Sequence, residues 1–196
     1  MFAAGGYEAT SLRQIAVAAE VDLATLKYHF GDKPALYSEV YRVGHEAFIG
    51  MVGPVLQALL AVEDEEGLVV QIGRLVDEAH TFAEHHMPFI QTVMYRLLED
   101  STDTIRLEED LQGVARGMIE TVFDALAARG VTRRVDARAF GTFLLTSLGF
   151  WFVTGQKKPH WFGAPGLDTA AGRARSEAFL RRQILAALLL DPARTG

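Results

Sequence analysis

The side chains best placed for chemistry lie between Ala24 and His29. A helix that turns Leu23, Leu26 and Phe30 to one side, at 100° per residue, directs Ala24, Thr25 and Tyr28 outward, with Lys27 and His29 on the flanks. That face is small and polar, and its hydroxyl and ammonium groups can hydrogen-bond to phosphates and base edges. A second candidate is His80, Glu84, His85 and His86, where the i, i+4 spacing from His80 to Glu84 could hold a metal. No H-E-x-x-H motif or thiolate accompanies it, and adjacent histidines at a helix end before Pro88 are favoured there by the helix dipole. The expectation is therefore no metal and no cofactor. A third group, Phe82, Met87, Phe89, Met94, Tyr95, Met118, Phe123 and Trp151, has the apolar character of pockets between helices, although most of it should be core. No G-x-S-x-G, Walker or dinucleotide-binding motif is present, and Glu108-Glu109-Asp110 reads as a charged helix start, so no enzyme is expected.

The elements that must position the first face are short helices. Leu12, Ile15, Ala16 and Ala19 follow i, i+3, i+4, i+7 spacing, with Thr10 or Ser11 as the N-cap. Glu20-Val21 forms a tight turn, with Val21 expected in the angle, and Asp22 caps the second helix. Two amphipathic segments meeting in this way form a helix-turn-helix, the plan of many DNA readers. Upstream, residues 1–4 read as the end of a helix stopped by Gly5-Gly6. Downstream, Gly31 ends the second helix and Asp32-Lys33-Pro34 starts a longer one to about Ile49, burying Leu36, Tyr37, Val40 and Phe48.

Gly50 to Pro54 reads as a break, so the expected domains are residues 1–48 and 49–196. Every strong period beyond it is helical, at about 55–62, 68–85 and 88–99. The next helix is capped by Ser101 or Thr102 and ends at Arg129-Gly130, and two more cover 136–154 and 169–190, with a loop at 155–166 between them. No segment alternates as a strand would, which gives an all-α fold. The last two helices are apolar on more than one side. Phe140, Leu144, Leu148, Phe179, Ile184 and Leu188 are therefore expected in a homodimer seam, with Gly141 and Gly149 admitting another helix closely.

A hydrophobic share of 49% with 22% charged residues excludes a disordered chain. The absence of cysteine removes disulfides and thiolate chemistry and fits a reducing cytoplasm. No secretory signal is read at the N-terminus. Residues 139–156 carry no charge, but their threonines and glycines suit a core or seam better than a bilayer, so no membrane is expected. The net charge of −6 excludes wholesale coating of nucleic acid. Within residues 1–41 three cations face five anions, so any DNA contact there must lean on backbone amides, hydroxyls and helix N-termini.

The stretch GYEATSLRQIAVAAEVDLATLKYHFGDKPALY closely resembles the DNA-binding module of the TetR family of one-component regulators, over about residues 2–41. The resemblance rests on Gly-Tyr-x-x-Thr-Ser, the Ile-Ala of the supporting helix, the Thr-Leu and His-Phe of the recognition helix, and the Lys after it. It implies that Thr10, Ser11, Thr25, Lys27, Tyr28, His29 and Lys33 lie at DNA. It also implies a second domain that binds a small molecule, dimerises and releases a palindromic operator when the effector binds. The partners implied are double-stranded DNA, a small apolar effector and a second copy. Three features depart from the family: its first helix is mostly missing, Lys27 stands where Tyr is usual, and Glu20 stands where a turn glycine is common. The rival reading is a helical carrier or enzyme that retains an inactive DNA-binding module.

Overall fold

Side-chain caps set where most of the helices begin. The computed structural model describes residues 1–99, 105–162 and 166–189, without the side chains of 105–110 and 162. After α1 (Phe2–Gly5), the Ser11 hydroxyl accepts from the Gln14 amide and the Gln14 side chain returns to the Ser11 backbone, a reciprocal box that starts α2 (Leu12–Ala18). Asp22 caps α3 (Leu23–Phe30), and Asp32 caps α4 (Lys33–Leu60), with Pro34 in its first turn. Asp64 caps α5 (Glu65–Arg96), and Glu65 and Glu66 in its first turn complement the dipole. Then come α6 (Ile105–Ala128), α7 (Ala137–Lys157, capped by Asp136), a 3₁₀ turn at Pro159–Phe162, and α8 (Ala170–Leu188, capped by Thr169). The described residues contain no strand, and the all-α expectation holds.

The expected break at Gly50–Pro54 does not occur, because α4 runs straight through it. Proline inside a helix costs about 3 kcal/mol. Here Val52, Val55, Leu56 and Leu59 continue one buried stripe across it, and their burial outweighs the lost bond. The boundary expected near residue 48 thus falls within a continuous helix. Conversely, the two helices expected at 68–85 and 88–99 form one bent element, kinked where His86 takes φ −124° and ψ 23°, two residues before Pro88. The cap expected at Ser101 or Thr102 lies outside the described residues. The expected loop at 155–166 is partly helical, since α7 extends to Lys157 and the 3₁₀ turn follows.

α4 packs against α5 and α6, and α7 packs on α5 and α6, while α8 covers α5. The main core lies among them, with Leu59, Leu68, Ile72, Leu126 and Leu188 sealed from water. A smaller core of Phe2, Tyr7, Leu26, Leu36, Tyr37 and Tyr41 holds the N-terminal helices, and Phe89 touches both. Gly44 lets α4 close on Phe89, since a Cβ there would overlap the ring. The N-terminal region buries less than its spacing suggests: Ala16 and Leu26 are covered, but Val21, Phe30 and, in α4, Val40 are each 40% exposed and Ala19 is exposed. A unit this small leaves some of its apolar faces without cover. α4 is long and apolar enough to cross a membrane, the one such helix among the described residues. It nevertheless lies between α5 and α6 and carries the ion-paired Glu39, Arg42 and Glu46.

The junction between the two cores is polar. The Glu99 carboxylate accepts from the Tyr7 amide at 3.2 Å and the Glu8 amide at 3.1 Å, while buried Arg96 lies 3.8 Å from it. The Lys33 ammonium sits 4.2 Å from the Tyr7 ring centroid, and the Arg96 guanidinium 5.6 Å. Tyr95 Oη also donates to the Ala4 carbonyl at 3.3 Å.

Glu20 closes the turn between α2 and α3 with φ +56°, the left-handed region that glycine enters freely and other residues at about 1–2 kcal/mol. Replacing it should relieve that strain and return part of the gain as backbone entropy. Glu20→Gly is therefore expected to stabilise the protein by about 0.5–1 kcal/mol, raising its midpoint in urea; a lowered midpoint would contradict the turn's geometry.

Candidate functional site

α3 buries Leu26 in the small core and turns most of its other side chains to solvent. Its Tyr28 ring is 86% exposed, the edge of His29 meets it at 5.2 Å between centroids, and Lys27 is exposed beside them. Thr25 is also exposed, but both of its donors are engaged: its amide and its hydroxyl each reach the Asp22 carboxylate at 2.7 Å. The Thr25 hydroxyl, then its amide, hold the Asp22 carboxyl below its ordinary pKa, so the cap is charged near neutral pH. Ser11 is exposed within its capping box. Two of the expected DNA-contact residues also bond within the chain. Thr10 is 4% exposed and its hydroxyl donates to the Gly6 carbonyl at 2.7 Å, while Lys33 donates to the Glu8 carbonyl at 3.3 Å in addition to its place over Tyr7. Ser11, Thr25, Lys27, Tyr28 and His29 are all exposed.

Behind this module, α4, α5, α6 and α7 enclose a cavity of about 190 Å³. Tyr41, His45, Phe48 and Met51 line it from α4, and Phe82, Phe89, Ile90, Val93 and Met94 from α5. α6 contributes Gln112, Ala115 and Arg116, and α7 contributes Thr142, Leu145, Thr146, Leu148 and Phe152. Of the residues expected at a pocket, Phe82, Phe89 and Met94 are here. Met87, Tyr95, Met118, Phe123 and Trp151 are not: Tyr95 bonds to Ala4, Phe123 packs edge-on to Phe140 at 5.2 Å, and Trp151 donates to Ser176 at 2.8 Å. Sequence reasoning missed the wall supplied by α4, because periodicity marks a helical face as apolar without showing that it borders a cavity. Its signal was legible as aromatic rings at positions 41, 45 and 48, spaced to share one helical face.

Residues 1–40 match the family model for bacterial regulatory proteins of the tetR family. The module belongs to the TetR family. Solved structures extend the likeness to the fold of almost the whole chain. A putative fatty acid metabolism regulator from Clostridium perfringens is 19% identical, with a TM-score of 0.71, covering 97% of this chain and 95% of its own. The ketosteroid regulator KstR2 of Mycobacterium tuberculosis is 18% identical with a TM-score of 0.67, covering 97% and 90%. The TetR-family regulator PfmR of Thermus thermophilus is 20% identical with a TM-score of 0.66, covering 97% and 91%. No protein with a curated description matches the chain.

In this TetR-type fold the residues expected at a dimer seam divide. Leu144, Ile184 and Leu188 are buried in the chain's own core, while half-buried Leu148 lines the cavity and half-buried Phe140 packs on Phe123. The glycines behave likewise: Gly141 admits Ile119 of α6 and Gly149 admits Met94 of α5. The outer face of α7 exposes Phe143 at 61% and Phe150 at 48%, and exposed Phe179 of α8 stacks on Trp151 at 5.1 Å. The histidine-rich stretch is dispersed. Buried His80 meets Ser176 Oγ at 3.1 Å, Glu84 pairs with Arg173, His85 bonds to the Thr81 carbonyl and His86 stacks on Phe82.

Burial pushes the pKa of both His45 and His80 below the ordinary 6.5. An unfolded chain therefore takes up protons as pH falls below 6.5 while the folded one resists. The contribution of these rings is fully present above that pH and declines as pH falls toward the folded values. Thermal melts between pH 7.5 and 5.5 should show falling midpoints; a flat profile would contradict the neutral burial of these rings.

Proposed function

We propose that the protein is a ligand-responsive, DNA-binding transcriptional regulator that acts in the cytoplasm as a homodimer. In this reading it represses from a palindromic operator and is released by a small apolar effector. The observation that carries the proposal is the exposed recognition face of α3, held by a charged cap and standing beside a helical body that encloses an apolar cavity. The N-terminal part of such a helix enters the major groove, and Thr25, Lys27 and Tyr28 are the residues we assign to it, with Ser11 and His29 at flanking phosphates. Thr25 would meet DNA through its methyl group and hydroxyl oxygen, because its donors serve the cap. Residues 1–48 act as the DNA-binding domain and 49–196 as the effector and dimer domain, with α4 shared between them.

The effector class is suggested by the walls of the cavity and by relatives of the same fold. AibR has been crystallised with isovaleryl coenzyme A and operator DNA, with 16% identity, a TM-score of 0.65 and coverage of 91% of this chain and 89% of its own. Names of the other relatives refer to fatty acid and ketosteroid regulation. An acyl or polycyclic body of that kind suits a cavity walled by Phe48, Phe82, Ile90, Met94 and Phe152. Dimerisation is assigned to the exposed Phe143, Phe150 and Phe179, whose burial against a second copy would remove a large apolar surface from water. By linkage, operator and effector should weaken each other's binding by the same factor.

A mobility-shift titration with DNA flanking the protein's own gene tests the first part. The wild type should shift a palindromic segment, and Tyr28→Ala should weaken binding by about 1–3 kcal/mol. Equal shifts by both proteins, or none by either, would sink the assignment of α3. Light scattering tests the second part. The wild type should run as a dimer at micromolar concentration and Phe143→Glu with Phe150→Glu as a folded monomer, whereas a monomeric wild type would overturn the seam.

A further inference from the structure

The cavity is apolar apart from a few side chains, and most of those are already engaged. Gln112 donates to Tyr41 Oη at 3.1 Å, and the Thr146 hydroxyl donates to the Thr142 carbonyl at 2.8 Å. Arg116 has donors alone and accepts nothing. His45 is different. It is 7% exposed, it lines the cavity from α4, and its Nε2 has no hydrogen-bond partner among the described residues. The Leu111 backbone raises the ring's pKa against the larger effect of burial, as a carbonyl turned toward a ring N–H does, and with Nε2 unpartnered that N–H falls to Nδ1. A neutral imidazole that donates from Nδ1 to a carbonyl carries a lone pair, not a proton, on Nε2. Burial keeps the ring neutral near pH 7. The wall of this cavity therefore offers a buried acceptor that nothing in the protein satisfies, and such orphans mark what a site is built to recognise.

Resting on the effector reading of this cavity, we infer that His45 is the polar anchor of the site and that its Nε2 accepts a hydrogen bond from a hydroxyl on an otherwise apolar effector. The ligand class is thereby narrowed from apolar molecules in general to those carrying a hydroxyl donor, such as an alcohol or a phenol. An ether or a hydrocarbon of the same shape would fill the same space and leave Nε2 unpaired. Discrimination against the analogue that lacks the donor is then the role of this residue. The apolar rings of Phe48, Phe82 and Phe152 set affinity for the body of the ligand without regard to its polar group.

The test uses the whole protein and two rigid probes of nearly equal shape, 2-naphthol, which donates, and 2-methoxynaphthalene, which only accepts. Titration calorimetry should give about tenfold tighter binding of the naphthol by the wild type, the worth of one good buried hydrogen bond. His45→Phe should bind both probes with equal affinity and keep that for the ether within about twofold. Should His45→Phe fail to fold, the ¹⁵N resonance of His45 Nε2 in the wild type reads the same bond, moving with the naphthol and staying still with the ether. Equal affinities in the wild type, an unmoved resonance, or a preference that survives in folded His45→Phe would overturn the assignment and leave the effector cavity standing. Binding of neither probe to the wild type would overturn the effector reading and this assignment together.

Discussion

The Glu99 carboxylate ties the recognition module to the helical body. Its two oxygens accept from the consecutive amides of Tyr7 and Glu8, which belong to the turn between α1 and α2 and lack partners within a helix. A charged acceptor strengthens both bonds, and Arg96 below it keeps that charge tolerable at a half-buried site. Tyr7 then carries the contact into the small core, edge-on to Tyr37 at 4.9 Å, while Lys33 lies over its ring. The orientation of α3 relative to the cavity depends on this joint, on α4, which contributes to both cores, and on the packing of α1 against α5.

Charge explains why the outward face takes the form it does. The N-terminal 41 residues carry a net charge of −2, and Lys33, one of their three cations, is turned inward over Tyr7. Arg13 and Lys27 remain as exposed cations on the module. Recognition by such a surface rests on shape, hydroxyls and the amide ends of α2 and α3 more than on neutralised phosphates. The Asp22 and Asp32 caps add to the acidity, but each lies against the amides it satisfies, which confines its field to the helix start.

The helix-turn-helix was legible residue by residue, since Ser11, Asp22 and Asp32 all cap where their types and positions indicate, and Gly31 ends α3 with φ +79°. Glu20 stands where the resembled family commonly has a turn glycine, and its backbone has the left-handed φ that glycine would take. What could not be read locally was anything decided by long-range burial. Pro54 looks like a stop, yet the stripe from Val52 to Leu59 carries the helix past it. Leu144, Ile184 and Leu188 look like seam residues from periodicity alone, which records that a face is apolar but not which surface covers it. Thr10 and Lys33 have types suited to phosphate, and their contacts with Gly6 and Tyr7 depend on those residues lying within reach after folding. The cavity was half legible for the same reason. Its lining comes from four helices, and the periodicity of each does not say which faces meet around a space.

The unbroken course of α4 has a thermodynamic consequence. At about 1.5 Å per residue, its 28 residues form a rod some 42 Å long whose first turns bury Leu36 and Tyr37 in the small core and whose last turns bury Leu56 and Leu59 in the large one. Neither core can come apart without unravelling a helix on which the other depends, so the two should melt as one cooperative unit. A molecule that occupies the cavity lowers the free energy of that shared unit. It should therefore slow amide exchange in the recognition helix, which it never touches, as well as in the walls that it does.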